Sequence, residues 1–227
     1  MADKPKKFVT ATTPVGTLLP WAKLVAPDEK YNKYGAKISM PADHPFVKKT
    51  IKMVNDQAKE ALAEAIEGDK RKDADKKKKP IKASENCPYE NETDDDGNET
   101  GNVILKFGLA PEGKKKNGEK YTRKPKLFNA VGQPLKLTSD PWGGSQVSIA
   151  FTFVKYGNPA IGAGCTLRLD AVQVVELKKG GQDAEGYGFA KHEGGFEETA
   201  EEDGEEPKKG TDDENAGGDD SSDDDDF

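Results

Sequence analysis

The most restrictive feature of this sequence is the composition of its last 48 residues, 180–227. This segment contains ten glycines and no Ile, Leu, Val, Met or Trp, and its large apolar side chains are Tyr187, Phe189, Phe196 and Phe227. So few apolar side chains cannot bury enough surface to offset the entropy lost when the backbone is ordered. We therefore predict a disordered tail over residues 180–227 and a folded domain over residues 1–179.

The charge of the chain divides at the same point. Residues 1–179 hold 32 Lys and Arg against 23 Asp and Glu, a net charge of +9, whereas residues 180–227 hold 3 against 19, a net charge of −16. A basic body suggests a polyanionic partner. An acidic tail suggests a basic surface as its own partner, and that surface can be the body itself.

Several classes of protein are excluded by what the sequence lacks. No stretch approaches the roughly 18 consecutive apolar residues of a membrane span, and the opening residues MADKPKKFVTATTP have no apolar core of a secretory signal. The chain has two cysteines, Cys87 and Cys165, and two histidines, His44 and His192, which are far apart in the sequence. This spacing fits neither a disulfide scaffold nor a zinc module. We expect a cytoplasmic protein with no membrane partner and no cofactor.

The body shows the alternation of β-strands. Strands are expected at residues 33–40, 102–109, 126–131, 146–155 and 164–177, with a basic loop or hairpin at residues 113–126 and a turn-rich connection at residues 156–164. In the first of them, Tyr34, Ala36, Ile38 and Met40 fall on one face. Five or more strands with no βαβ rhythm predict a small closed or half-closed barrel.

One helix is expected within this series of strands. Residues 46–67 repeat apolar side chains at helical spacing, with Asp43 as the predicted N-cap, Pro45 in the first turn and Gly68 at the end. Residues 68–102 are highly polar and are expected to form one long excursion with little core.

Candidate catalytic motifs fail on their spacing. The GKKKNGEK segment has Glu119 where a phosphate-binding loop needs Lys, and Glu92, Asp94 and Asp96 open a calcium-like loop that lacks its final Glu. Asp94 and Asp96 could also serve a metal-dependent nuclease, although acidic groups in hydrophilic loops are usually only solvated. We therefore expect a binding protein and not an enzyme.

The chain instead interleaves aromatic side chains with lysines. Proteins bind single nucleic-acid strands through cations that contact the phosphates and through aromatic rings that stack on the bases. Each ring could equally be a half-buried strand aromatic, but the set, in a body of net charge +9, favours nucleic-acid binding. The candidate residues are Trp21, Tyr31, Tyr34, Lys37, Lys76, Lys77, Lys82, Lys106, Phe107, Tyr121 and Tyr156. Base-specific readout is not expected, because the arginines are only Arg71, Arg123 and Arg168.

The C-terminal DDDDF adds a second kind of candidate. An aromatic ring and a free carboxylate directly after four aspartates would fit a shallow apolar pocket rimmed by Lys or Arg. The predicted partner-docking residues are Asp223, Asp224, Asp225, Asp226 and Phe227.

Taken in order, these features resemble the single-stranded DNA-binding proteins of T-odd podophages and their relatives. The matching motifs are PWAKLVAPD, YGAKISMP with the Asp-His-Pro helix start, KKKKPIK, LKFGLAPEGKKKNGEK, FVKYGNPAIGAGCTLRLDAVQVVEL and the terminal DDDDF. The resemblance covers nearly the whole chain. Gly157 and Asn158 depart from it, since they replace a segment that carries a second aromatic residue in the family.

The resemblance implies a five-stranded OB-fold barrel with one inserted α-helix and a groove for single-stranded DNA. It implies base stacking at Tyr156, strand contacts at Lys106 and residues 76–79, and aromatic positions at Trp21 and Tyr34. It also implies that the acidic tail docks DNA polymerase and helicase-primase, that a homodimer forms through the tail or the body, and that the protein acts in the cytoplasm of the infected bacterial host.

These observations lead to one hypothesis with two alternatives. In the hypothesis, the basic body binds single-stranded DNA in phage replication and recombination, and the tail occupies the same groove until DNA displaces it. The alternatives are an OB-fold protein that binds RNA or duplex, and an acidic chaperone that binds basic proteins through its tail.

Overall fold

The computed structural model describes residues 8–115 and 118–178. Within these ranges the elements are β1 (Val9–Thr12), β2 (Gly16–Leu18), β3 (Lys23–Asp28), β4 (Lys33–Pro41), α1 (Pro45–Glu67), α2 (Asp73–Lys78), β5 (Tyr89–Thr93), β6 (Glu99–Leu109), β7 (Glu112–Lys114), β8 (Lys120–Thr122), β9 (Lys126–Phe128), β10 (Gln146–Asn158) and β11 (Gly162–Glu176). The predicted tail and its boundary at residues 179 and 180 lie outside the described residues.

Five of the strands close into a barrel. β2 pairs with β4, β4 with β6, β6 with β11, β11 with β10, and β10 returns to β2. The β6–β11 pair is parallel and the other four are antiparallel. This closed Greek-key barrel is an OB-fold, which confirms the predicted fold class.

The core forms from the inward faces of the long strands. The predicted alternation on β4 is confirmed, since Tyr34, Ala36, Ile38 and Met40 are all buried. Phe151 of β10 lies at the centre, with its ring centroid 5.1 Å from that of Phe107 and 5.2 Å from that of Phe153. Burying such side chains stabilises the fold by about 1.5–3 kcal/mol each.

Helix α1 connects the second and third barrel strands and packs on β10 and β11. Its predicted extent and its end at Gly68 are confirmed, because the Gly68 N–H donates to the carbonyl oxygen of Glu64 at 2.9 Å. The predicted cap is wrong by one residue. The N–H of Phe46 donates to Nδ1 of His44 at 3.1 Å, so His44 is the N-cap and Asp43 is not.

The polar excursion over residues 68–102 is more ordered than predicted. It contains the short helix α2 and the strand β5, which pairs with β6 at the outside of the barrel. Ala83 forms a bridge with Ala163, which ties the excursion to β11. Backbone pairing and not apolar burial holds β5, because most of its side chains are exposed.

The basic segment forms a hairpin, β7–β8, which is one of the two expected forms. Two further segments differ from the expectation at their ends. β9 ends at Phe128 because Oδ1 of Asn129 accepts the N–H groups of Val131 and Gln133 and turns the chain. β10 and β11 pair as far as Asn158 and Gly162, so the predicted nine-residue connection is a tight hairpin loop over residues 159–161. No helix of the described ranges is long and apolar enough to span a bilayer.

Candidate nucleic-acid interface

One face of the barrel carries three concave segments that share walls. The first, of about 490 Å³, and the middle one, of about 660 Å³, share Lys33 and Lys106. The middle one and the third, of about 500 Å³, share Asn86 and Ile161. Because neighbouring segments have walls in common, they form one path, which we call the groove.

The position of the groove follows from the topology. It crosses β4 and β6, the second and third strands of the barrel. Its ends lie at the β3–β4 turn and at the loop over residues 159–161, which join the first to the second and the fourth to the fifth barrel strands. These strands and loops are the surface on which OB-folds bind oligonucleotides and oligosaccharides.

Two of the predicted stacking residues have nearly free side chains at the first segment. Trp21 is 92% exposed and Tyr31 is 71% exposed. Trp21 adopts a positive φ of 68°, which is uncommon for a residue with a side chain. Asp28 builds the turn beneath Tyr31, since its carboxylate accepts the N–H groups of Lys30 at 3.0 Å and Tyr31 at 2.9 Å. Both rings are available to a flat ligand.

Tyr156 lines the middle segment as a half-buried ring. It lies opposite Gly164 on β11, where a Cβ atom would come within 2.8 Å of the tyrosine oxygen. Its hydroxyl donates to the carbonyl oxygen of Asn86 at 3.4 Å. The glycine and the hydrogen bond together hold the ring at the groove wall.

Three other predicted aromatics differ from these rings in their surroundings. Tyr34 and Phe107 line the first segment but are only 7% and 4% exposed and belong to the barrel core, so base stacking on them stays a prediction. Tyr121 stands on the β7–β8 hairpin with the Arg123 guanidinium 5.6 Å from its ring centroid. It does not line any segment of the groove.

The two central lysines of the groove face each other across strands. Lys37 on β4 is the register partner of Lys106 on β6, and both line the first segment. The ammonium of Lys106 contacts a carboxylate oxygen of Glu90 at 2.5 Å. Lys37 is exposed and forms no ion pair within the part of the chain that the structure describes. Like charges opposed on a sheet are destabilising unless something neutralises them.

Lys33 was missed by the sequence reasoning, although it stands in the KYNKYGAK segment. Its side chain crosses the backbone of Gly108, where a Cβ would lie 2.2 Å from its Cε atom. This path places Lys33 on the wall between the first and middle segments. A side chain at position 108 would displace the end of Lys33 from this path.

The third segment is also basic, with three lysines and one carboxylate, Glu85, in its lining. Lys78, Lys79 and Lys82 line it; Lys82 is one of the candidates from the sequence, and Lys78 and Lys79 belong to the basic run that the family resemblance implies. The predicted Lys76 and Lys77 lie on α2 and line no segment, and Lys76 pairs with Asp73 at 3.7 Å. Their contribution to binding stays a prediction.

The floor of the middle segment carries two neutral titratable groups. Burial raises the pKa of the Cys165 thiol to about 11. Burial also raises the pKa of Tyr89, whose hydroxyl donates to Oδ1 of Asn55 at 3.0 Å. Both groups are uncharged at neutral pH, so neither repels an anionic strand.

The acidic cluster that imitated a metal site has a structural use. Oδ1 of Asp94 accepts the N–H groups of Asp96 and Asn98 and closes the β5–β6 turn. These hydrogen bonds, first that from Asn98, lower the pKa of the Asp94 carboxyl. No group of three His, Cys, Asp or Glu side chains in residues 8–115 and 118–178 is arranged to hold a metal ion.

A closed OB-fold barrel with free rings and lysines along one groove defines a protein that binds an oligonucleotide strand. A family model described as the single-stranded DNA-binding protein of bacteriophage T7 matches residues 15–177, which is most of the chain. The chain belongs to this family, whose members bind DNA and are not enzymes.

The chain is similar to solved structures, and the first of these shows the same fold. The crystal structure of gp2.5, a single-stranded DNA-binding protein encoded by bacteriophage T7, is 21% identical, with a TM-score of 0.61 over 85% of this chain and 100% of that chain. The single-stranded DNA-binding protein of bacteriophage Enc34 in complex with ssDNA is 16% identical, with a TM-score of 0.48 over 78% of this chain and 95% of that chain. Among curated proteins there is no significant match.

Proposed function

We propose that the groove binds single-stranded DNA without base preference and protects it during phage replication and recombination. The observation that carries this proposal is the combination in one groove of exposed rings at Trp21 and Tyr31 with a lysine, Lys37, that has no ion pair in the described chain. Membership of a phage single-stranded DNA-binding family supports the same substrate.

The binding mechanism separates phosphates from bases. Lys33, Lys37 and Lys106 follow the backbone across β4 and β6, while bases stack on Trp21, Tyr31 and Tyr156. Stacking on such rings contributes roughly 1–3 kcal/mol per base and tolerates any sequence. Glu90 shares Lys106 with the strand, so a phosphate binds there in competition with a carboxylate.

The arginines support the absence of base readout. Arg71 forms an ion pair with Asp69 at 2.7 Å, and Arg168 contacts Asp170 at 2.9 Å. Arg123 donates to the carbonyl oxygen of Ala110 at 3.1 Å. All three side chains are engaged outside the groove, and a bidentate arginine is the commonest base-specific contact.

The tail has two proposed roles that rest on its charge and on the family resemblance. Its net charge of −16 complements the basic groove, so it competes with DNA for the same lysines. Its end at residues 223–227 docks the DNA polymerase and helicase-primase once DNA displaces it. The remaining proposed partner is a second copy of the chain, and sedimentation velocity of the full chain tests for this homodimer. The expected site of action is the cytoplasm of the infected bacterial host.

The decisive experiment is a salt titration of oligo-dT binding by the full chain. Log K should fall linearly with log salt, with a slope of about −0.7 for each phosphate neutralised. Matched single-stranded DNA, duplex DNA and RNA oligomers complete the experiment. Equal affinity for the duplex, or preference for RNA, would contradict the proposal.

A further inference from the structure

The chain has only two tryptophans, and both line one small cavity at the edge of the groove. Trp21 precedes β3 and Trp142 lies in the loop before β10. They line a cavity of about 210 Å³ together with Pro20 and Pro141. We call this cavity the indole notch.

The indole notch continues the groove. It shares Pro20, Trp21 and Lys23 with the first segment, so a strand that leaves this segment reaches the notch without crossing a barrier of other residues. The notch was not visible in the sequence, because Trp142 is separated from Trp21 by most of the barrel. Only the closure of β10 on β2 brings the two loops together.

Both indoles stay uncovered by the protein. Trp142 is 59% exposed and Trp21 is 92% exposed, whereas the core of the described residues contains no tryptophan. Exposed neighbouring aromatic surface of this kind typically marks a ligand-binding site.

The notch is held rigidly at both walls. Oδ1 of Asp140 accepts the N–H groups of Leu24 and Val25, each at 2.7 Å, and so joins the loop of Trp142 to β3 behind Trp21. The N–H of Trp142 donates to the carbonyl oxygen of Lys178 at 3.1 Å, and its own carbonyl oxygen accepts the hydroxyl of Ser145 at 2.7 Å. A preformed cavity loses little entropy on binding.

Close backbone approach fixes the distance between the walls. A Cβ atom at Gly143 would lie 2.8 Å from Cγ of Pro20, so the loop of Trp142 packs against the chain before Trp21 only with glycine there. The N–H of Gly144 also donates to the carbonyl oxygen of Leu18 at 2.7 Å.

The chemistry of the notch selects a nucleobase. Two indoles and two prolines account for half of its lining residues and suit a flat uncharged ring. The cavity is smaller than the about 300–1,000 Å³ typical of larger organic ligands. Lys23 stands at the rim, 3.9 Å from Asp140 and partly exposed, where the phosphate of an inserted nucleotide would lie. The negative charge of Asp140 is already engaged by two N–H groups and this lysine.

We infer that the indole notch binds one base of the DNA strand and extends the binding site beyond the barrel face. The inference rests on the proposed function, since the strand must first occupy the groove. The base enters next to those stacked on Trp21 and Tyr31, so the notch is occupied only by strands long enough to reach it.

Intrinsic fluorescence tests the inference, because the indole notch contains every tryptophan of the chain. The full-length variants Trp21→Phe and Trp142→Phe each keep one indole. Each is titrated with oligo-dT of increasing length, and the anisotropy of labelled oligomers measures binding separately. We expect both remaining indoles to be quenched, and the indole of Trp142 only by longer oligomers than those that quench Trp21.

Affinity provides the second measurement. Trp142→Ala should weaken binding of long oligomers about 5- to 100-fold and leave that of the shortest binding oligomers unchanged. Val131→Ala, which removes another exposed apolar side chain outside the notch, should change neither. Unchanged emission of Trp142 in Trp21→Phe at saturating oligo-dT would overturn the inference. A lack of anisotropy change with the unsubstituted chain would instead overturn the proposed function itself.

Discussion

At the scale of single residues, Lys37 and Lys106 give the groove positive charge for binding an anion. Their positions are opposed across β4 and β6 on the outward face of the barrel, and only Lys106 has a carboxylate partner in the described chain. Lys37 is therefore the lysine of this pair whose charge is left for a phosphate in the proposed complex.

We expect Lys37→Ala to weaken oligo-dT binding several-fold at low salt and to make the salt slope less steep by about 0.7, the loss of one phosphate contact. Lys52→Ala is the matched control, because it removes an exposed lysine of α1 outside the groove. Binding isotherms at several salt concentrations give both slopes. Identical slopes for the two variants would show that Lys37 does not contact the strand.

The sequence indicates the outward lysines better than it indicates the rings. The same alternation that places Tyr34 and Phe107 among aliphatic residues buries them when the barrel closes, and it turns Lys37 and Lys106 outward between them. Trp21 and Tyr31 lie in turns, where no alternation applies, and they are exposed as predicted. Trp142 carries no local signal, since its role depends on a loop brought next to β3 by the fold.

At the scale of elements, the long strands and α1 could be predicted from the periodicity of apolar residues in the sequence, whereas the short elements could not. β2 has only three residues, and β5 is held by backbone pairing with β6 while its side chains stay largely exposed. Neither produces an apolar pattern in the sequence. The hairpin of β10 and β11 extends through glycines and an asparagine, because backbone pairing continues where side-chain alternation has ended.

The start of α1 gives a prediction for this scale. His44→Ala removes the acceptor of the Phe46 N–H and should lower the free energy of unfolding by about 0.5–2 kcal/mol, whereas Asp43→Ala should have almost no effect. Urea unfolding of both variants measures the difference. A larger loss for Asp43→Ala would restore the cap expected from the sequence.

At the scale of the whole molecule, the separation of charge couples the body to its partners. We propose that the body, of net charge +9, and the tail, of net charge −16, attract each other when DNA is absent. A tethered segment acts at an effective concentration of up to ~mM, so weak contacts are enough for competition. In the proposed mechanism, occupying the groove and docking a partner are therefore alternative uses of one tail.

A substitution at Phe227 distinguishes the two proposed roles of the tail, competition with DNA and docking of a partner. Phe227→Ala keeps every charge of the tail, so the affinity for oligo-dT should stay nearly unchanged, while capture of the phage DNA polymerase weakens because the apolar ring is lost. Surface plasmon resonance with immobilised polymerase measures the second effect. Normal capture by a chain that lacks residues 180–227 would exclude docking through the tail.

Removal of residues 180–227 should tighten oligo-dT binding, and most strongly at low salt. In the proposed competition the tail acts through its charge, whose field reaches ~30 Å at 0.01 M salt but only about 8 Å at 0.15 M. The difference in affinity between the full and truncated chains should therefore decrease as salt rises.

A control chain of full length separates the effect of the tail's charge from that of its length. In this chain the aspartates and glutamates of the tail are replaced by asparagine and glutamine. It should bind as tightly as the truncated chain, because a neutral tail cannot occupy the lysines of the groove. Equal affinities of the full and truncated chains at the lowest salt would refute competition by the tail and leave the groove as an independent site.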